Sequence, residues 1–513
     1  MSMTLLHAST LWQLLERRVA LTPHAPMLID GRKHLNMTFA QALDIAESLA
    51  AGFYERGIGS GSQVTWMLPT GLPAVMTALA LARLGALQNP IISLYGEREV
   101  HNILERNRSD FLLVPDRGER DFPAMAERLC QQLERPPLLI VMGNQLPRGR
   151  ASSLPPPPSD GQAVRWVYYT SGTTSQPKGA CHTDETLMIG GRNLARSMNV
   201  SAADVGSIAF PYAHIGGAMY TTMLLASGMS AVLLDRFQAE EAAEIYRRYA
   251  VTLAGGSTVH YQLLLAEQRR NAHTPLLPAM RLLCGGGAPK PPELYYQVRN
   301  EMGCGLIHNY GMTEIPLICA GFESDTDEQL ANADGIPMQD IHLRIIRADG
   351  SLAGDGESGE VRVRGKAVFK GYTDPELNLA SFDDSGFFRT GDLGMRRADG
   401  RIVLTGRLKD VIIRKGENIS AKEIEDLLFT HPKVAAVAVI GLPDELRGER
   451  VCAVVELKPG VPALQFEEMV DFFMQAEMMR QKIPEQLEIV EQLPRNQTLN
   501  KILKHVLREQ YAH

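Results

Sequence analysis

The chain has 513 residues, 45% of them hydrophobic and 22% charged, with a formal net charge of −7 at pH 7. That length allows about three structural units with ample core, in a composition ordinary for a globular protein. The acidic balance and the lack of any lysine/arginine block exclude nucleic acid as an expected partner.

From the N-terminus, "MSMTLLHASTLWQLLERRVALTP" has no basic start followed by an apolar run, so no signal peptide is expected. "QVTWMLP", "ALQNPIIS" and "DFLLVPD" read as short apolar strands between helical patterns at 71–85 and 97–108. That alternation predicts βαβ units and a parallel sheet. "LPRGRASSLPPPPSDGQ" (146–162) is proline-rich and polar, a surface connection. "AVRWVYYT" is a strand by its β-branched and aromatic content. "HTDETLMIGGRNLARSM" reads as a helix, with acidic residues in its first turn. Ile215–Leu234 is uncharged and long enough to cross a bilayer. Gly228 divides it, so a buried helix feeding a buried strand is expected and no membrane span.

A second alternating region follows in "SAVLLD", "VTLAGG", "MRLLCGGG" and "CGLIHNYG". From about residue 330 the texture becomes strand-and-turn, and the last hundred residues return to mixed α and β. The expected fold is α/β. A large N-terminal domain (1–408) would hold two βαβ-type sheet subdomains (about 1–160 and 161–325) and a small β subdomain (326–408). A small mobile α+β C-terminal domain (409–513) would follow. Cysteines at 130, 181, 284, 304, 319 and 452 form no C-x-x-C pair, so neither disulfide framework nor zinc knuckle is expected and a reducing cytoplasm fits.

The stretch Thr170–Gly179, "TSGTTSQPKG", offers amides, hydroxyls and one lysine but almost no apolar volume. Strand, small-residue loop with a lysine, then helix is an arrangement that cradles phosphate. The spacing is not that of a Walker loop, because Gly179 lies on the far side of Lys178. Four more segments stand out. "LLCGGGAP" (282–289) puts three glycines after a strand, where a flat ring could lie against backbone. "NYGMTE" (309–314) supplies an aromatic plane, a hydroxyl and a carboxylate. "FRTGDLG" (388–394) offers Asp392 in a tight turn, and "GRLKDVIIRKGENIS" (406–420) sets Arg407 and Lys409 beside a second glycine loop. Lys501 stands near the end, in "LPRNQTLNKILKHVLRE".

In this order and spacing the segments resemble the adenylate-forming superfamily of acyl-CoA synthetases, luciferases and peptide-synthetase adenylation domains, and most closely its AMP-forming acyl-CoA synthetases. The resemblance runs from about residue 10 to 510. It implies ATP-dependent ligation of a carboxylic acid to coenzyme A through an acyl-AMP. Thr170, Ser171, Gly172, Thr173, Thr174 and Lys178 would hold the β- and γ-phosphates; Ser175 replaces the usual glycine. Asn309–Met312 would line the nucleotide, with Tyr310 stacked on adenine. Gly286, Gly287, Ala288 and Pro289 would face it, with Gly311 and Met312 beside them. Thr313 would meet the α-phosphate, Glu314 would hold Mg²⁺, Asp392 the ribose, and Arg407 ribose or phosphate. His214 matches a position near the acyl carboxylate. With the small residues Gly216, Gly217, Gly256 and Ser257, it suggests a pocket for a medium-chain, branched or cyclic acid. Lys501 would close over carboxylate and α-phosphate. The C-terminal domain would then turn about Lys409, and Lys415, Gly416 and Glu417 would guide pantetheine.

The terminal motif departs from the family by one extra residue and by Asn500 in place of glycine, which leaves Lys504 as the alternative to Lys501. A homodimer is compatible with this reading. The rival readings are an adenylation enzyme loading a carrier protein, or a weakly catalytic nucleotide-binding homologue.

Overall fold

The computed structural model describes residues 5–143, 146–170, 177–271, 273–415, 417–496 and 501–512. Of the candidates above, Ser171, Gly172, Thr173, Thr174 and Gly416 lie outside the described residues, as do Ser175 and Asn500.

Four sheets organise the chain. The first runs Leu138–Met142, Phe111–Pro115, Gln63–Trp66, Leu87–Pro90, Val164–Thr170, Lys178–Thr183, parallel throughout except for its last pair. Helix Leu72–Leu84 is buried over nearly its whole length, as its unbroken apolar sequence requires. The second sheet has nine strands, in the order Ile336–Pro337, Ile315–Ala320, Gly305–Met312, Leu282–Gly286, Leu253–Gly256, Val205–Ile208, Ser230–Leu233, Pro26–Asp30 and Leu35–Thr38. Sheet membership therefore crosses the expected division at 160/161. Strands 26–38 join the second sheet, while 164–183 complete the first. Chain order suggested the boundary, but long-range strand pairing decides which sheet a strand completes.

Ile341–Ile346, Ser358–Gly365, Phe388–Arg396 and Ile402–Arg407 form an antiparallel sheet, where a small β subdomain was expected after residue 330. The small C-terminal domain carries the last sheet, built around the long hairpin Val434–Asp444/Gly448–Leu457. Its own apolar cluster includes Ile412, Ile424, Val439, Val455 and Phe473.

The uncharged stretch is helix Ile215–Ser227 followed by strand Ser230–Leu233. Gly228 ends the helix in the left-handed region at φ 83°, where a side chain would be strained. No helix among the described residues is long and apolar enough to cross a membrane. All six cysteines are free.

The phosphate-cradle candidate does not lead straight into a helix. Lys178–Thr183 returns as a strand antiparallel to Val164–Thr170, with Thr170 opposite Lys178. Helix Asp184–Ser197 starts only beyond it, capped by Thr183, so its N-terminal dipole lies about 20 Å along the strand from the loop. The other edge of this strand is bonded to 370–373: Cys181 N–H donates to Gly371 O at 2.9 Å and Thr373 N–H to Gly179 O at 2.8 Å. A short string such as "KGACHT" gains these ladder bonds only from partners remote in sequence.

Candidate active site

Two strands of the nine-stranded sheet build one wall. Leu282–Gly286 runs parallel to Gly305–Met312, with Gly286 opposite Asn309. A Cβ on Gly286 would stand 2.3 Å from Asn309 O, and one on Gly285 would stand 2.3 Å from Gly256 O. Only glycine lets these backbones approach so closely, which keeps the surface flat. The buried Asn309 Oδ1 has no hydrogen-bond partner among the described residues. Such an acceptor fits an amine-bearing ring laid against this wall.

Gly305–Met312 turns into Ile315–Ala320 with Met312 opposite Ile315, so Thr313 and Glu314 form the tip of a hairpin. His182 fixes that tip. Its ring is fully buried, Nε2 lies 2.8 Å from Thr313 O and Nδ1 lies 2.9 Å from Thr186 Oγ1. Burial pushes its pKa down to about 4 against the opposing bond to Thr313, so the imidazole is neutral and Nε2–H donates. Phe369 N–H donates to Glu314 O at 2.9 Å. Tyr372 Oη donates to Glu314 Oε1 at 2.6 Å. The sequence reading passed over both His182 and Tyr372. The histidine opens the stretch "HTDETLMIGGRNLARSM" that reads only as a helix, and nothing local distinguishes the tyrosine.

Asp392 is not in a tight turn. It lies within strand Phe388–Arg396, directly opposite Arg407. The residue is 4% exposed, and both oxygens are engaged: Oδ1 by Arg407 Nε at 2.8 Å, Oδ2 by Tyr310 Oη at 2.9 Å. Tyr310 itself is 5% exposed, so most of its ring is packed in the core. Burial, and then the Asp392 charge, raise its pKa well above the ordinary value, keeping the hydroxyl a donor.

Lys501 enters from the C-terminal domain. Its N–H donates to Asn496 Oδ1 at 2.9 Å, its carbonyl accepts from Asn496 N–H at 2.8 Å, and Arg495 bridges Ile502 beside it. The ammonium is within electrostatic reach of Arg407, Asp392, Glu314 and Lys409. Burial first, then the Arg407 charge, lower its pKa to about 8, against the pull of Asp392 and Glu314. Lys504, the alternative, is committed elsewhere, at 2.7 Å from Glu425 Oε1.

On the opposite side His214 caps helix Ile215–Ser227, and its Nδ1 accepts from Gly216 N–H at 3.2 Å. Burial and the nearby Lys501 charge press its pKa to about 4, so it is a neutral imidazole. Gly217 touches backbone: a Cβ there would fall 2.0 Å from Tyr212 O. Gly255 and Gly256 hold φ of 148° and 150°, and Ser257 is buried as the cap of the helix from Thr258.

Lys409 sits in the short turn Leu408–Asp410, none of whose residues is buried, between the antiparallel sheet and the C-terminal sheet. Lys415 and Glu417 follow in the next hairpin along the chain. They lie at the tip of the hairpin Val411–Arg414/Glu417–Ser420, where Lys415 N–H donates to Arg447 O at 2.7 Å.

Glu314 is the carboxylate suited to Mg²⁺. No group of three or more His, Cys, Asp or Glu residues that could hold a metal ion occurs among the described residues. A single carboxylate fits magnesium, which takes one or two protein oxygens and completes its shell with phosphate and water.

Residues 15–373 match the AMP-binding enzyme family, and residues 423–499 match the AMP-binding enzyme C-terminal domain. The chain belongs to the AMP-binding enzyme family. It is 30% identical over 495 residues to a sulfoacetate–CoA ligase of Cupriavidus necator, covering 95% of each chain. It is also 30% identical to a medium-chain fatty-acid–CoA ligase of Escherichia coli, covering 91% of this chain and 85% of that one. Among solved structures, ATP-bound MatB from Rhodopseudomonas palustris superimposes with a TM-score of 0.88 at 25% identity, over 99% of both chains. This AMP-binding enzyme therefore shares both its domains and their overall arrangement with adenylate-forming enzymes.

Proposed function

We propose that this AMP-binding enzyme is an ATP-dependent carboxylate–CoA ligase. It acts through an acyl-AMP on a medium-chain, branched or cyclic acid. One observation carries the reading. Glu314, Asp392, Arg407 and Lys501, from four segments and two domains, gather at one place, within reach of the neutral His214. Mixed charge of this kind suits a nucleotide triphosphate and its metal, and relatives named as CoA ligases support the acceptor.

In the first half-reaction an oxygen of the substrate carboxylate attacks the α-phosphorus. The new P–O bond forms as the bond to pyrophosphate breaks. Catalysis is mostly positioning and charge neutralisation. Lys501 spans the carboxylate and the α-phosphate. Arg407 and Asp392 hold the ribose side, with Asp392 aimed by Tyr310. Lys178 and the loop before it receive the leaving pyrophosphate. Mg²⁺, bound at Glu314, would neutralise phosphate charge. His214 is uncharged, so it orients the acyl group without competing for its carboxylate as a cation. In the second half-reaction the C-terminal domain turns about Lys409, Lys501 withdraws, and Lys415–Glu417 approach. The CoA thiolate attacks the carbonyl carbon, the C–S bond forms, and AMP leaves with the former carboxylate oxygen.

The test is direct. With ATP and Mg²⁺, a panel of carboxylic acids should release pyrophosphate, and AMP should appear on adding free CoA. Release of AMP only with a phosphopantetheinyl carrier protein would replace this reading with carrier loading. Absence of any ATP binding would end it.

A pH prediction follows from Lys501. Only the protonated ammonium bridges two anions, and its pKa in the free enzyme is lowered to about 8. kcat/KM for ATP in adenylate formation should fall as pH rises through about 8. Thioester formation from supplied acyl-AMP should lack that limb. A limb shared by both half-reactions would assign it to another group.

A further inference from the structure

Glu314 is gripped by a side chain to which the ligase reading gives no role. Tyr372 is 8% exposed, and its hydroxyl lies 2.6 Å from Glu314 Oε1. A bond so short, from a neutral donor to a carboxylate, is of the stronger charge-assisted kind. The same ring carries the Lys178 ammonium over its face, 5.5 Å from the centroid. A metal-binding candidate and the cation of the phosphate loop thus lean on one residue.

The tyrosine is itself held firmly. Its backbone bridges Ala180 in the strand that carries Lys178. Its N–H donates to Asn378 Oδ1 at 2.7 Å, and Asn378 Nδ2 donates back to its carbonyl at 3.2 Å. Its ring meets Phe369 edge-on, with centroids 4.8 Å apart. Phe369 N–H in turn holds Glu314 O. Burial, and then the Glu314 charge, raise the Tyr372 pKa, so the hydroxyl keeps its proton and only donates to the carboxylate.

We propose that Tyr372 is a positioning residue for the metal–phosphate end of the site. Its hydroxyl fixes the rotamer of the Glu314 carboxylate, and its ring seats Lys178 beside it. This rests on the ligase reading only in taking Glu314 as the magnesium ligand. The two functions are separable, because one belongs to the hydroxyl and the other to the ring. Outer-shell partners of this kind alter metal affinity by about 10–100-fold when removed.

The test uses the whole chain with ATP and Mn²⁺ as an EPR-visible substitute for magnesium. Tyr372→Phe keeps the ring and its packing. It should weaken Mn²⁺ binding in the presence of ATP by about 10-fold and leave the ATP half-saturation within about 2-fold, since the cation–π contact survives. Tyr372→Leu, which loses both, should also raise the ATP half-saturation several-fold. In a Glu314→Gln background the Tyr372→Phe change should have no further effect on Mn²⁺ affinity. Parental Mn²⁺ affinity in Tyr372→Phe, with clear weakening in Glu314→Gln, would overturn the role of Tyr372 and leave the ligase reading standing. Parental affinity in both variants would remove Glu314 as the ligand and overturn the two together.

Discussion

Lys501→Ala should slow adenylate formation by about 10²–10³-fold while leaving thioester formation from supplied acyl-AMP within about 3-fold. The lysine reaches a cluster built by the N-terminal domain, so its loss subtracts a cation that the C-terminal domain brings to the carboxylate and α-phosphate. Its neighbours cannot replace it. Arg407 is committed to Asp392 at 2.8 Å, and Lys504 to Glu425 at 2.7 Å. The effect should fall on the rate of the first half-reaction rather than on folding, because Lys501 makes its hydrogen bonds to Asn496 through its backbone. Pyrophosphate exchange measures the first step, and consumption of synthetic acyl-AMP with CoA measures the second. Equal losses in both would sink the assignment of a moving lysine.

Asp392→Asn should cost about 10²-fold in ATP affinity and about 1–3 kcal/mol in stability. The carboxylate accepts from the Tyr310 hydroxyl at 2.9 Å and is ion-paired with Arg407 Nε at 2.8 Å. An asparagine of the same shape has a single acceptor oxygen, so its amide nitrogen must meet one donor head-on. The stability term stays at the low end if Arg407 is the group released, because its side chain is 46% exposed and water screens it. It rises if the buried Tyr310 hydroxyl is left unpaired. Calorimetric ATP titration and the urea midpoint measure the two effects separately. Parental values in both would make Asp392 a bystander.

Much of this molecule was readable from local pattern. The alternating strands and helices, the glycine break at 228 and the strand-and-turn region after residue 330 all reappear as elements of the fold. Each is dictated by what lies within a few residues: side-chain period, a positive φ, or turn chemistry. The failures have a common cause. "KGACHT" is a strand only because Val164–Thr170 and 370–373 supply its two edges. Asp392 looked like a turn residue in "FRTGDLG", yet it pairs with Arg407 in a ladder and takes the Tyr310 hydroxyl on its side chain.

By itself, then, the amino-acid order determined which side chains could bear charge, donate a proton or permit close backbone approach, and at what intervals. Tertiary structure alone decided which of them meet. Glu314 acquires Tyr372 from 58 residues away, and Thr313 acquires His182 from 131 residues away. Lys501 acquires a lowered pKa from its burial and the Arg407 charge. Contacts between remote segments depend on how whole sheets pack, and the free energy of that packing is shared over the entire core rather than written at the residues it brings together.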